Sequence, residues 1–384
     1  MKVLHVYKTY YPDSFGGVEN AMLQIAEGSR KYGVDCKVLT LSKNPSPQKI
    51  KIKNHEVVRA NSNIEIASTG ISLEFFRLFS EMSAQADLVH YHFPWPMMDI
   101  AHLLQKDRKP SLVSYQLDIT KQKTLLHLYK PLQHIFLSSV DRIVASSPNY
   151  LNTSKVLANY RDKVEIIPIG IDRENYPTPS VAKIAEWKAK LPEKFFLFVG
   201  VFRYYKGLHI LLEAAKNLSC PIVLVGSGPE ECNLKHFAEV NNLTNVFFMG
   251  SLPEEDKVAL LQLCSGLIFP SHLRSESFGI TLLEAAMFGK PLISCEIGTG
   301  TTYVNIREQT GLVAQPADAE SLAHAINRLW TNSEEAERFG RNALTRFNEL
   351  FVGQKMVSSF VSLYEQLASK TKPVIESVDV PVGG

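Results

Sequence analysis

Pro270-Ser271-His272-Leu273-Arg274-Ser275-Glu276-Ser277-Phe278-Gly279-Ile280-Thr281-Leu282-Leu283-Glu284-Ala285 follows directly on the short apolar run Leu267–Phe269. A buried strand, a polar turn and then an apolar stretch of helical period make a strand-to-helix junction. Its turn sits at the carboxyl end of the strand, where doubly wound α/β sheets bind ligands. Gly279 opens the helix. Unpaired N–H groups and the dipole at that helix start suit a phosphate or sugar hydroxyls, and glycine permits close backbone approach. Glu276 precedes the turn and Glu284 lies more than one helical turn beyond it. The two carboxylates therefore reach different parts of one extended ligand, such as a sugar and a ribose. The competing reading is a helix start with an incidental exposed Glu.

Outward from this junction the same alternation recurs. Phe195–Val199, Ile222–Val225, Val246–Met249, Leu267–Phe269, Leu292–Ser294 and Leu312–Ala314 read as strands, with helices over Leu208–Leu218, Glu230–Asn241, Glu254–Cys264 and Thr281–Phe288 between them. An earlier series, Val3–Tyr7, Lys37–Leu41, Leu88–His92, Leu112–Tyr115, Arg142–Ser146 and Val164–Ile169, closes near Gly170-Ile171-Asp172, and a polar, Pro-containing stretch from Arg173 to Pro192 separates the two. The reading is an α/β chain of two Rossmann-like, doubly wound domains facing across a cleft, residues 1–172 and 190–353. A helix over about 354–369, with Met356, Phe360, Leu363, Tyr364 and Leu367 on one face, has no strand after it and is expected to cross back to the first domain. Residues 370–384 lack helical periodicity and read as a flexible tail.

Composition agrees with two cores: 384 residues at 45% hydrophobic content. Lys and Arg total 41 against 39 Asp and Glu, a net charge of +2, which argues against a dedicated nucleic-acid binder. The five cysteines (Cys36, Cys220, Cys232, Cys264, Cys295) are scattered, without Cys-x-x-Cys or metal-ligand spacing, so a reduced, cytoplasmic setting is expected. Val3–Tyr7 is too short for a signal-peptide core, and no apolar run is long enough to span a bilayer.

Val199-Gly200-Val201-Phe202-Arg203-Tyr204-Tyr205-Lys206-Gly207 is a second strand-end turn, whose Arg203 and Lys206 suit a diphosphate; a solvated basic turn is the alternative. Gly16-Gly17-Val18-Glu19 lies between the first strand and its helix, and reads either as an anion-facing start or as a plain tight turn. His90, His92 and Asp118 fall near strand ends bordering the same cleft, although a lone His there is more often structural. Gly226-Ser227-Gly228-Pro229-Glu230 begins like a dinucleotide fingerprint but carries Glu231 where the third Gly belongs. No Asp-x-Asp triplet is present to hold a metal-bound diphosphate, so no metal is expected and the charge falls to Arg203, Lys206 and helix ends.

As an ordered set over residues 1–368, these segments resemble the retaining glycosyltransferases of family 4, which have the GT-B fold: Gly-Gly-Val-Glu after strand one, a strand-end Lys-Gly, Val-Gly-x-Gly-Pro-Glu, and Glu-x-Phe-Gly with a Glu eight positions after the first. The resemblance implies a nucleotide-sugar donor in the C-terminal domain, an acceptor in the N-terminal domain, no metal or other cofactor, and retention of configuration. On matching positions it implies that Glu276 contacts donor sugar hydroxyls, and that Ser277, Phe278, Gly279 and Ile280 border the donor. Glu284 would bind the ribose, Lys206 the diphosphate, and Gly16 and Gly17 would lie near the donor phosphates. His92, Gln116 and Asp118 would be sugar or acceptor contacts. Two positions depart from the common pattern: Val201 stands where Arg usually follows the glycine, and Gln116 stands where many members have His. Gln116 cannot act as a base but can hydrogen-bond a hydroxyl. That suffices if the leaving phosphate takes the acceptor proton.

Lys8-Thr9-Tyr10-Tyr11-Pro12-Asp13-Ser14-Phe15-Gly16-Gly17, Arg203–Gly207 and Gly298-Thr299-Gly300-Thr301-Thr302-Tyr303-Val304-Asn305 are similar to bacterial O-antigen and surface-polysaccharide transferases that use GDP-mannose or GDP-rhamnose. GDP-mannose is the expected donor and a polyprenyl-diphosphate-linked glycan the expected acceptor. The protein is then expected to be peripheral on the inner face of the cytoplasmic membrane. Lys106, Arg108, Lys109, Lys121, Lys123 and Lys130, with Leu125, Leu126, Leu128 and Tyr129, form a candidate lipid-facing patch, against the alternative of a helix facing its own core. A sugar-nucleotide 2-epimerase would need further carboxylates for elimination. A non-catalytic sugar-nucleotide binder is suggested only by Gln116 and would show no donor hydrolysis or transfer.

Overall fold

The computed structural model describes residues 1–62, 64–66, 69–119 and 123–369; the expected tail, 370–384, lies outside them. The first half runs β1 (Lys2–Val6), α1 (Gly17–Ser29), β2 (Asp35–Ser42), β3 (Lys49–Ile52), β4 (His55–Asn61), β5 (Ile64–Ile66), β6 (Thr69–Ile71), α2 (Leu73–Gln85), β7 (Leu88–Phe93), α3 (Pro96–Leu104), β8 (Ser111–Tyr115), α4 (Lys123–Ser139), β9 (Arg142–Ala145), α5 (Pro148–Thr153) and β10 (Val164–Ile166). Eight of these strands form one sheet in the order β10-β9-β8-β7-β1-β2-β4-β3, parallel except for the β3–β4 hairpin. The central strands β7 and β8 are buried along their whole length, and β1 and β2 are buried except near their starts, because helices cover both faces.

The second half runs α6 (Val181–Lys190), β11 (Phe196–Val199), α7 (Leu208–Ala215), β12 (Ile222–Val225), α8 (Glu231–Val240), β13 (Val246–Gly250), α9 (Glu254–Leu263), β14 (Gly266–Phe269), α10 (Ile280–Met287), β15 (Leu292–Cys295), α11 (Thr301–Val304), β16 (Gly311–Ala314), α12 (Ala319–Thr331), α13 (Ser333–Leu350) and α14 (Gly353–Ser369). Its six strands are all parallel, in the order β13-β12-β11-β14-β15-β16. The order reverses at the β11–β14 pair, so the loops leaving β11 and β14 flank a switch point, the position from which such sheets bind ligands.

Two features differ from the sequence reading. The hairpin β3–β4 turns at Lys53, whose φ is +48°, and β4 pairs with β2 from Lys37↔Glu56 to Ser42↔Asn61. Charged residues interrupt its apolar pattern, which hides it from a search for apolar runs. The stretch between the halves is not purely a linker, because it contains α6. Ser180 caps that helix through Lys183 N–H, and Trp187 is buried with its indole N–H donating to Asp256 at 2.8 Å.

Helix α14 returns to the first sheet. Met356, Val357, Phe360, Val361, Leu363, Tyr364 and Leu367 are buried against Val3, Ile25, Ala26, Leu88 and Leu112. Each fully buried side chain of this size contributes roughly 1.5–3 kcal/mol, enough to hold the helix in place. The approach to α1 is close at Gly28, where a Cβ would lie 2.6 Å from Val357 Cγ2.

Candidate active site

The turn after β14 is built on glycine. Gly279 has φ +92°, a conformation that disfavours any side chain, and a Cβ there would press on Leu282 and the Phe269 ring at 3.0 and 3.1 Å. Phe278 is buried and Gly300 N–H donates to Ser277 O at 2.8 Å, which fixes the path of the turn. The turn after β11 packs directly on it. Gly207, at φ +72°, would drive a Cβ to 2.1 Å from Pro270 O, and His272 N–H donates to Tyr205 O at 3.0 Å.

This contact brings Lys206 and Glu276 together, although 70 residues separate them. Lys206 Nζ lies 2.5 Å from Glu276 Oε2, Ser271 Oγ donates to the same oxygen at 3.2 Å, and both charged side chains are about 12% exposed. Lys206 Nζ also sits 4.7 Å above the Phe269 ring, which restricts its approach to one side. Arg203 is on the same turn and exposed. The glycines of the Gly226–Gly228 segment allow close packing of this turn on the β11 loop. A Cβ on Gly226 would fall 2.0 Å from Gly200 O, and Phe202 N–H donates to Ser227 O at 2.9 Å.

Glu284 lies deeper in α10 and is buried. Its Oε1 accepts from Lys257 Nζ at 2.9 Å and from the Tyr176 hydroxyl at 3.0 Å. Burial disfavours the Lys257 ammonium, but the Glu284 charge beside it, with Glu254, outweighs this and holds its pKa above the ordinary lysine value. Neither Lys257 nor Tyr176 was legible as a site residue, since each stands alone in an unremarkable helix or linker sequence.

The first half meets this site through the start of α1. Gly17 faces Ile280 closely enough that a Cβ on the glycine would lie 3.1 Å from Ile280 Cδ1, so the first turns of α1 and α10 oppose each other. Gly16 is the N-cap of α1, and a Cβ there would be 2.6 Å from Glu19 Oε2. Asp118 accepts from the Tyr115 hydroxyl at 2.9 Å and from Ser154 Oγ at 2.7 Å, and pairs across the cleft with Arg274 Nη2 at 3.2 Å. Arg274 further donates to Thr153 Oγ1 and Gly298 O, each at 2.8 Å. Its role in joining the halves cannot be read from a lone arginine in a loop. Gln116 and His92 border a cavity of about 20 Å³, close to the size of one water molecule.

His92 belongs to a buried trio with His5 and His90 on the adjacent strands β1 and β7. His5 Nδ1 and His92 Nε2 are 3.1 Å apart, and the two nitrogens of His90 engage the Tyr364 hydroxyl and Ser114 Oγ, both at 2.7 Å. One ring nitrogen from each lies within 4.8 Å of the others, a spacing a metal ion can bridge. Within the trio His5 Nε2 and His92 Nδ1 lack hydrogen-bond partners, however, and among the described residues no carboxylate joins the group to offset a divalent charge. Burial drives all three pKa values down, His5 to about 3, so the rings are neutral near pH 7.

Of the expected lipid-facing patch, Lys106, Arg108, Leu128 and Lys130 are exposed, Leu128 by 78%; Leu104 and Ile135, which the sequence reading did not include, are exposed by 70% and 54%. Tyr129 does not belong to it: it is buried and donates to Asp99 on α3. Lys121 and the side chains of Lys123, Leu125 and Leu126 lie outside the described residues. No helix among the described residues is long and apolar enough to cross a membrane.

Residues 15–175 match the family described as Glycosyltransferase Family 4, and residues 182–346 match Glycosyl transferases group 1. The chain is 51% identical to the D-rhamnosyltransferase WbpZ of Pseudomonas aeruginosa over 351 residues, covering 91% of this chain and 92% of that protein. It is 47% identical to O-antigen chain mannosyltransferase C of Escherichia coli over 367 residues, covering 96% and 99%. In fold it is similar to the sucrose-phosphate synthase of Thermosynechococcus elongatus, with a TM-score of 0.80 at 21% identity over 96% of this chain and all of that one. Two parallel-sheet domains, paired turns at the β11–β14 switch point and these matches together make the chain a glycosyltransferase of family 4 with the GT-B fold.

Proposed function

We propose that this enzyme transfers mannose from GDP-mannose, with retention of configuration, onto a polyprenyl-diphosphate-linked glycan during synthesis of a bacterial surface polysaccharide of the O-antigen type. The observation that carries the reading is the Lys206–Glu276 pair at the switch point, where Glu276 lies on the turn that leads into α10, whose Ile280 faces Gly17 at the start of α1. A cation and a carboxylate held together there match the two ends of a sugar diphosphate. On donor binding Lys206 turns to the diphosphate, joined by Arg203 and the N–H groups at the start of α10, and Glu276 accepts from the sugar hydroxyls. Glu284 is the ribose partner, exchanging its contact with Lys257 or Tyr176 for the ribose hydroxyls.

In this reading the protein supplies position and charge, with no metal. The acceptor hydroxyl attacks C1 as the C1–O bond to the diphosphate breaks. Its proton passes to the leaving phosphate oxygen on the same face, while Lys206 and the helix start stabilise the departing charge. Gln116 holds a sugar hydroxyl. The acceptor is delivered to the first domain from the inner face of the cytoplasmic membrane, where the exposed Leu104, Leu128 and Ile135 among Lys106, Arg108 and Lys130 fit an anionic surface.

GDP-rhamnose is the second reading, favoured by the 51% identity to a D-rhamnosyltransferase. Thermal stabilisation by a panel of nucleotides and nucleotide sugars tests both, because a ligand that binds only the folded protein raises Tm. GDP and GDP-mannose are expected to stabilise selectively. A preference for GDP-rhamnose or UDP compounds overturns the mannose assignment, and no response to any of them overturns the donor-binding reading itself.

A further inference from the structure

The chain has 20 Phe and 3 Trp, and among the described residues Phe15 is the one of these that is exposed, by 76%. A lone aromatic on a surface is ordinary by itself. Phe15 is set apart by where it stands and by how firmly the chain around it is held.

It immediately precedes Gly16, the N-cap of α1. An apolar residue at that position commonly packs against the side chain four residues beyond the cap and staples the helix start. In α1 that residue is Asn20, which is exposed and accepts from the Tyr11 hydroxyl. The usual structural task of such a ring is therefore absent.

The loop before it is fixed by other groups. Tyr10 is fully buried with its hydroxyl 3.1 Å from His55 Nε2, and the N–H groups of Asp13 and Ser14 both donate to Tyr10 O at 3.0 Å. Ser14 Oγ donates to Glu19 Oε1 at 2.7 Å, and Asp13 pairs with Arg59 at 3.6 Å. From this anchor a run of edge-to-face contacts leads outward, Tyr10 to Tyr11 at 5.4 Å and Tyr11 to Phe15 at 5.0 Å. The ring is thus oriented before any ligand arrives, with most of its surface open, so binding against it costs little further ordering.

Its place is the rim of the cleft. Gly17, two residues on, faces Ile280 at the start of α10, the helix entered from the Glu276 turn. Two residues of chain span at most about 7 Å, a distance comparable to the width of a sugar residue. A pyranose presents C–H groups on one face, which pack on the electron-rich face of an aromatic ring and leave the hydroxyls free at the edge. An uncharged ring without a donor or acceptor suits that face rather than a phosphate.

We propose that Phe15 is the stacking platform for the acceptor's terminal sugar, a pyranose whose apolar face lies on the ring while its reacting hydroxyl points past Gly17 to the donor. The assignment rests on the proposed function in placing the acceptor in the first half of the molecule.

The probes are methyl glycosides of mannose, rhamnose, glucose, galactose and N-acetylglucosamine. Their binding is followed by saturation-transfer NMR on the full chain with GDP bound, or whichever nucleotide stabilises it. At least one binds wild type. Phe15→Ala weakens that binding on the order of tenfold. Phe15→Leu, apolar but without a ring face, does the same, whereas Phe15→Tyr stays within about twofold of wild type. All three variants keep a Tm close to wild type and the rise in Tm given by the nucleotide. If no glycoside binds wild type, or Phe15→Ala binds as wild type does, the acceptor sugar lies elsewhere. If Phe15→Leu binds as well as wild type, the ring supplies bulk and not a stacking face, and the proposal fails; this comparison with Phe15→Tyr also decides the matter should Phe15→Ala not fold. A weaker nucleotide response in Phe15→Ala places the ring on the donor instead. Loss of binding to phosphatidylglycerol vesicles, with glycoside binding intact, makes Phe15 a membrane contact and overturns the platform. Should no nucleotide stabilise wild type, the donor reading fails, and glycoside binding by the unliganded chain still decides the role of Phe15.

Discussion

Arg274 reaches from the loop after β14 to within 3.2 Å of Asp118, which belongs to the other half of the molecule. The same guanidinium donates to Thr153 Oγ1 and to Gly298 O and lies 5.1 Å above the Tyr150 ring, so one side chain ties β14's loop, α5 and the α11 turn into a single contact. The contact is only partly exposed, so screening does not erase it. Arg274→Ala is expected to loosen the cleft and lower kcat/KM by about tenfold, since misplacing reacting groups by about an ångström costs that much or more. Asp118→Asn, which keeps a hydrogen-bond acceptor, is expected to do less. Small-angle scattering and steady-state kinetics on both variants check this; an Arg274→Ala enzyme with wild-type scattering and rate would show that the tie is incidental.

Glu276 and Lys206 form a partly buried pair that, in the proposed function, the donor takes over. Glu276→Ala is expected to cut turnover by orders of magnitude and leave the fold intact, because in the proposed function its carboxylate acts on the donor sugar. Lys206→Ala is expected to weaken nucleotide diphosphate binding, while binding of the nucleoside alone is little changed. Turnover assays alongside circular dichroism separate these effects from unfolding. Near-normal turnover in Glu276→Ala would remove it from the site.

The strands of the second half and the strand-turn-helix around Gly279 were legible because each is a short apolar run bounded by Gly, Pro or Ser. Closeness in space was less so. That Glu284 pairs with Lys257 and Tyr176, or Arg274 with Asp118, depends on how helices and halves pack, which no local pattern encodes. The alternation in Lys49–Asn61 was obscured by charges, because β3 is an edge strand whose exposed positions favour lysine. Of the buried histidine trio, His90 and His92 read only as residues near a strand end and His5 was not singled out, since His5 and His90 become neighbours only through the register of β1 against β7.

Gly28 tests how α14 is docked. Within a helix Ala is intrinsically better than Gly by about 1 kcal/mol. Here the added Cβ would lie 2.6 Å from Val357 Cγ2, so the strain is expected to win and Gly28→Ala to lower Tm. Gly28→Ala/Val357→Ala relieves the clash and should recover part of that loss, even though Val357→Ala alone is destabilising. Additive losses in the double variant would mean that the two helices simply part.

The histidine trio should make the first half acid-labile. A ring whose folded pKa lies below its unfolded value of about 6.5 binds fewer protons when folded, so the stability it contributes is complete above that value and is lost as pH falls. For His5, depressed to about 3 by burial and by His55, this window runs from pH 6.5 down toward 3. At pH 5 the loss is about 2 kcal/mol for this one ring, from 1.36 kcal/mol per pH unit. His90 and His92 shift in the same direction through burial, and His90 also holds the Tyr364 hydroxyl of α14. Acidification is therefore expected to loosen α14 together with the sheet. Tm of wild type should fall steadily from pH 7.5 to pH 4.5. In His5→Gln the value at pH 7.5 should be lower but the decline shallower, because one titrating group is gone. An equally steep decline in that variant would show that the acid sensitivity arises elsewhere.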